Sequence, residues 1–301
     1  MIPKDKELKL IAIYLFISDL YDNQLKHTCQ RHSNNSEPEF TDPEILTIYL
    51  FVASEQQYFQ LKRIHKFAKE YMSSWFPKLP SYATFNDRIN RLSGAFLLLT
   101  QFLLSSVPEN CDTDTSLLDS MPIITCKGKN RKGKVATEIT AKGYCSTKNL
   151  YYYGLKLHIL AFRRKGTIPF PEYAVITSAA DNDLTIFKQE LSESIYNRSI
   201  YADKAYSEKE FFSKKETENN YCMLTPVKLV KGEDETIRQR DRAYNDLFSR
   251  MVSSVRQPIE SFFNWLIEKT DIQRASKVRS TAGLMVHVFG KMATAFLGLA
   301  L

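Results

Sequence analysis

The sequence predicts two domains: a helical N-terminal domain over residues 1–107, and an α/β domain with a mixed sheet over residues 112–301 that includes the C-terminal helices. Three observations point there. Apolar residues recur at helical spacing through the first hundred residues. Short aromatic and β-branched runs take over after residue 112. Those runs come first on their own, then in alternation with helical segments. The polar stretch "SSVPENCDTDTS", with Pro108 and several acids, reads as the linker.

In the first domain, Leu8, Ile11 and Leu15 recur as the apolar stripe of an opening helix. "TDPEILTIYLFVAS" starts with Thr41 and Glu44 at capping-box spacing and has Pro43 in its first turn. Ser81 is the expected N-cap of "SYATFNDRINRLSGAF", whose Phe85, Ile89, Leu92 and Phe96 fall on one side. The other side offers Asn86, Arg88, Asn90 and Arg91. Two readings fit: a helix-turn-helix reader with Arg88 and Arg91 on DNA, or an amphipathic helix with a solvated polar face.

In the second domain, "TSLLDSMPII", "LYYYGLKLHILAFRR", "EYAVITSAA", "SIYADKAY" and "YCMLTPVK" are strand-like, while "DNDLTIFKQEL" and "SEKEFFSKKETEN" are helical. From Glu235 to about Thr270 the pattern is helical again. Val255, Ile259, Phe262 and Leu266 form its packing stripe. Pro258 inside that pattern calls for a fresh helix starting near Val255, capped by Ser254 with Gln257, or for a kinked longer helix.

Composition narrows the partners. With 301 residues, 44% hydrophobic and 12% aromatic, the chain can bury an ordered core. Lys and Arg number 41 against 34 Asp and Glu, and the resulting net charge of +7 favours a polyanion. Five scattered cysteines without a C-x-x-C pair suit reduced thiols in the cytoplasm. The closing run "TAGLMVHVFGKMATAFLGLAL" is apolar, yet Lys291 with His287 one turn earlier argues for a docked helix and against a membrane.

Three carboxylates stand out. Asp119 lies in or at the end of the first strand, Asp203 ends a later one, and Glu260 lies beside the stripe of the last long helix, with Arg256 one turn before it. Ligands of open α/β sheets gather at strand ends. Three acids around one core edge would repel each other and protonate unless cations neutralise them. Hard oxygen donors without paired His or Cys point to Mg²⁺, with Mn²⁺ as substitute, and a metal pair roughly 3.5–4 Å apart serves phosphoryl displacement. With 34 acids in the chain, some also reach strand ends by chance.

"LLDSMPI", "GYCSTKNLYYYGLKLH", "YADKAY" and "RQPIESFF", in this order and approximate spacing, resemble the catalytic half of bacterial insertion-sequence DDE transposases. "LPSYATFNDRINRL" is similar to that family's helix-turn-helix region. The resemblance implies an RNase H-like catalytic domain with Asp119, Asp203 and Glu260 as the metal-binding triad. It also implies double-stranded DNA as substrate (terminal inverted repeats and target DNA) and a homodimer on paired ends. The reaction would be cleavage at element ends and strand transfer of the freed 3′-hydroxyl. Related enzymes carry Tyr-x-x-Arg-x-x-x-Glu-x-x-x-x-x-x-Lys around the last acid. Here Arg256 keeps the Arg position and is the implied DNA-end contact, while Ser253 and Ile267 replace the Tyr and the Lys. A nuclease or resolvase without strand transfer, or a DNA-binding regulator with an inactive catalytic half, are the alternatives.

Basic residues then acquire a role. "KGKNRKGK" carries Lys127, Lys129, Arg131, Lys132 and Lys134 in a loop suited to backbone phosphates, or to a charged solvent-exposed hairpin. Lys142, Lys148 and Lys156 continue the trend. Lys204, next to Asp203, is either a phosphate contact or half of a surface ion pair. "IQRASKVRS" is a further basic segment beyond the catalytic helix.

Overall fold

Capping and periodicity direct the order of elements in the computed structural model, which describes residues 2–29, 38–129, 132–146, 148–228 and 235–300. Six helices come first: α1 (Lys4–Leu20), α2 (Lys26–Cys29), α3 (Asp42–Gln56), α4 (Leu61–Tyr71), α5 (Tyr82–Arg91) and α6 (Ser93–Ser105). Strands β1 (Cys111–Lys127), β2 (Ala141–Cys145), β3 (Leu150–Arg164) and β4 (Phe170–Ser178) follow. Then come α7 (Asp183–Ile186), β5 (Arg198–Tyr201), α8 (Lys209–Asn219), β6 (Tyr221–Leu224), α9 (Glu235–Arg256), α10 (Pro258–Thr270), α11 (Thr281–Met285) and α12 (Lys291–Ala300). They form two compact units, Met1–Ser106 with Leu266–Leu301, and Val107–Trp265.

The helical unit is built around α3. Thr41 caps it through a complete capping box with Glu44, and every residue from Ile45 to Ala53 is buried. The stripe expected on α1 lies on the wrong side. Leu10, Ile13, Ile17 and Leu20 are buried, while Leu8, Ile11 and Leu15 face solvent. The helix is apolar on more than one side, so periodicity alone did not choose between them. Ser81 caps α5 as expected, and Phe85, Ile89, Leu92 and Phe96 are all buried.

The C-terminal helices, expected with the second domain, complete this helical unit instead. Their Leu284, Val288, Phe289, Met292 and Phe296 need an apolar partner, and α3 and α6 offer one. Thr100 on α6 donates a hydrogen bond to the Phe289 carbonyl at 3.1 Å. Thr281–Leu299 is long and apolar enough to cross a membrane, but 67% of it is buried inside the fold. Its two ionisable side chains are accommodated there. Lys291 Nζ donates to the Asp271 carbonyl at 3.0 Å and lies over the Phe59 ring. The His287 ring nitrogen Nε2 meets the Ile272 carbonyl at 2.8 Å, so it carries the proton and donates.

Burial, helped by Lys291, lowers the His287 pKa to about 3. The unfolded imidazole takes up a proton near pH 6.5, whereas the folded one resists until about 3. Its contribution is therefore complete above pH 6.5 and lost as pH falls towards 3. In urea titrations from pH 7 to pH 4, His287→Gln, which keeps a donor, is expected to remove a stability loss on the order of 3 kcal/mol. An unchanged pH profile would contradict this.

The second unit holds a sheet of order β2-β3-β1-β5-β6, with β4 also pairing β3. β1 is antiparallel to β3 and parallel to β5, and β5 is parallel to β6. β5 pairs only Thr115–Leu117 of β1, so Pro122 lies where that edge of β1 has no β5 partner to lose. Gly154 sits where β3 changes partner from β2 to β4. Its φ is +156°, and a Cβ there would stand 1.9 Å from the Ile123 carbonyl oxygen, so only glycine fits. One face of the sheet, carrying Leu118, Leu160, Ile200 and Ala202, packs on Phe187, Tyr206, Phe212 and Tyr221.

Candidate active site

Alternation along the strands decides which side chains reach the other face. Leu117 pairs Tyr201 in the parallel β1–β5 ladder; Asp119 stands two residues further along β1, and Asp203 two residues beyond the last residue of β5. Asp203 keeps an extended backbone (φ −80°, ψ 177°) before the short 3₁₀ turn Lys204–Tyr206. Alternation turns Asp119 to the face opposite Leu118, and Asp203, just past the end of β5, is near enough for its charge to act on Asp119. Each is anchored by the backbone. Asp119 Oδ1 accepts from the Ser120 N–H at 2.8 Å, and Asp203 Oδ1 accepts from the Ala205 N–H at 2.7 Å.

Glu260 arrives from a helix break. Of the two readings of Pro258, a fresh helix near Val255 or a kinked longer helix, the structure is nearer the second: α9 continues through Arg256, the break falls at Gln257 and α10 follows at once. Ser254 bonds back to the Met251 carbonyl and caps nothing. Pro258 opens α10, where its missing N–H has no cost, and Glu260 falls in the first turn, where the helix dipole favours an acid. Arg256, in the last turn of α9, therefore faces Glu260 across the break. Its Nη1 donates to Asp119 Oδ2 at 2.6 Å, and its Nη2 donates to Glu260 Oε1. Asp119 is 21% exposed, Arg256 16% and Glu260 52%.

Burial pushes the Asp119 carboxyl up to about 6. Arg256 and the Ser120 N–H oppose that rise, while the charges of Asp203 and Glu260 add to it. These influences put all three acids in one electrostatic neighbourhood, with Arg256 between two of them. Among the described residues, no three His, Cys, Asp or Glu side chains stand close enough to share one metal ion. As the site is folded, one guanidinium supplies the positive charge. Sequence reading missed Tyr206, three residues after Asp203 in "YADKAY". Its pKa is raised by burial first, then by Asp183, Asp119 and Asp203, and its buried hydroxyl has no hydrogen-bond partner among the described residues. Its place within a matched motif was the available signal.

The expected DNA contacts divide. Lys204 is exposed and forms no ion pair among the described residues. Lys127, Lys132 and Lys134 are also exposed and unpaired there; Arg131 lies outside the described residues. Lys129 and Lys142 bring their ammonium groups within 5.9 Å and 5.3 Å of the Tyr151 ring centroid, and Tyr144 packs against the same ring. Lys156 is occupied, donating to the Asp181 carbonyl and pairing with Asp183 at 3.0 Å. In the helical unit Arg91 is exposed, but Arg88 is not: it is 4% exposed, donates to the Phe40 carbonyl and pairs with Asp42. The outward Arg88 expected from the sequence is thus corrected to an internal strut between α5 and the start of α3.

A family model described as the transposase DDE domain matches residues 110–297. No curated protein and no solved structure gives a match. The family match spans well over half of the chain, including all three carboxylates, and the chain belongs to the transposase DDE domain family, whose activity is transposition and whose substrate is DNA.

Proposed function

We propose that the protein is the DNA transposase of an insertion sequence, which cleaves the element ends and joins the freed 3′-hydroxyl to target DNA. The observation that carries this reading is Asp119 on β1 with Asp203 just past the end of the parallel neighbour β5, and Glu260 tied to Asp119 through one guanidinium. Four strands in antiparallel pairs, β1 to β4, followed by β5 and β6 in parallel, favour an RNase H-like reading of the catalytic part.

The donor set is three carboxylates without His or Cys, which fits Mg²⁺, with Mn²⁺ as substitute. Arg256 marks where these acids require positive charge. Asp119, Asp203 and Glu260 would hold the ions. Bound there, divalent cations supply activation of the attacking oxygen and stabilisation of the leaving one. The chain's own groups orient the rest. The Ser120 and Ala205 N–H groups fix the two aspartates, and Arg256, once released from Asp119 and Glu260, is available to a DNA-end phosphate. Lys204, Lys127, Lys129, Arg131, Lys132 and Lys134 neutralise flanking phosphates, and Arg91 is the remaining contact on the expected reader helix. Assembly as a homodimer on paired ends, in the cytoplasm with the nucleoid, completes the reading.

The test is incubation with Mg²⁺ and DNA bearing the sequences that flank the gene, where this reading expects short inverted repeats. Cut ends that become joined to target DNA are expected. Cut ends that are never joined would replace the transposase by a nuclease of the same site.

A further inference from the structure

The basic segment "IQRASKVRS" has no part in the carboxylate site; it folds into the helical unit. There it lines a groove of about 730 Å³ together with the start of α4 and one side of α5. Lys62, Arg63, Arg274, Lys277 and Arg279 border this groove, all exposed. None forms an ion pair with a carboxylate among the described residues, and Asp271 is the groove's single acid. Lys62 and Arg63 lie in the first turn of α4, which has no acid, so their charges oppose the helix dipole. Such a concentration of unpaired charge is self-repulsive unless an anion shares it.

The rest of the lining says which anion. Tyr58 and Phe59 lie under Arg63 and Lys291, and Tyr82 is 40% exposed. Asn86 and Asn90, on the α5 side once expected to present Arg88, also line the groove, with Asn90 Nδ2 donating to the Asn86 carbonyl at 2.9 Å. Cations interleaved with aromatic rings and amides suit a nucleic-acid strand better than an acidic peptide or a free phosphate ion. We propose that this groove, built jointly by α4, α5 and the segment 270–291, is a second DNA site that grips the phosphodiester backbone independently of the carboxylate centre. The proposal rests on the reading of DNA as the substrate.

The test uses the full-length protein in EDTA, with a fluorescein-labelled DNA duplex of random sequence followed by anisotropy. Lys62→Ala with Arg63→Ala, and separately Arg274→Ala with Lys277→Ala, are expected to weaken binding about ten-fold or more. Each pair should also lower the slope of log affinity against log salt by about two. Arg274→Lys with Lys277→Arg keeps the charges and is expected to bind as the wild type does. Melting temperatures equal to wild type show that the variants are folded. Variants that bind the duplex with unchanged affinity and salt slope overturn the groove alone. So does a loss confined to stabilisation by inorganic phosphate. A wild-type protein that fails to bind DNA at all overturns the underlying DNA reading as well.

Discussion

Asp203→Asn is expected to abolish cleavage and joining of element DNA, by about 10³-fold or more, while leaving DNA binding within a few-fold of wild type. Asn preserves the shape of the side chain, and its carbonyl can still accept from the Ala205 N–H, so the turn at Lys204–Tyr206 persists. What is lost is the negative charge beside Asp119. Loss of that charge also relieves repulsion, since Asp203 is among the groups that raise the Asp119 pKa. The variant should therefore melt no lower than wild type, which separates a catalytic loss from a folding loss. Gel analysis of nicked and joined products together with a binding isotherm checks both halves. Wild-type cleavage by the Asp203→Asn protein would sink the assignment.

Arg256→Ala has the second large effect, with a sign that depends on metal. Its guanidinium bridges two carboxylates and is mostly buried, so truncation leaves Asp119 and Glu260 without their shared counter-charge. Removing one partner of such a pair costs about 2–4 kcal/mol, less than for a fully buried bridge because Glu260 is half exposed. The melting temperature in EDTA should fall by several degrees. A divalent cation can replace the missing charge, so Mg²⁺ should raise the melting temperature of Arg256→Ala more than that of wild type. Equal Mg²⁺ shifts in the two proteins would contradict the view that Arg256 occupies the position of a cation.

Much of this was legible where local chemistry decides the outcome. The Thr41–Glu44 capping box, the Ser81 cap and the aromatic run that became β3 are short-range signals, and each fixed its element. The three acids could be singled out because each falls within an ordered motif, although Asp119 lies inside β1 and not at its end. What failed depended on distant partners. Arg88 looked like a surface cation because Asp42, which buries it, lies in another helix. The C-terminal helices showed an apolar face but not whose core it completes. On α1, two stripes were equally apolar and only packing selected the buried one. β2 is five residues long with Gly143 at its centre, too brief to show a period. Pro258 left a fresh helix near Val255 and a kinked longer helix both open, because Ser254 and Gln257 had capping-box spacing without forming a cap.

The central claim is that Asp119, Asp203 and Glu260 form one cation-binding centre whose charge Arg256 balances. Titration with Mn²⁺, followed by electron paramagnetic resonance of the free ion, measures this without any DNA chemistry. Saturable binding is expected in the wild type, tighter binding in Arg256→Ala, and at least about ten-fold weaker binding in Asp119→Asn and Asp203→Asn. Equal Mn²⁺ binding by the wild type and both aspartate variants would contradict it.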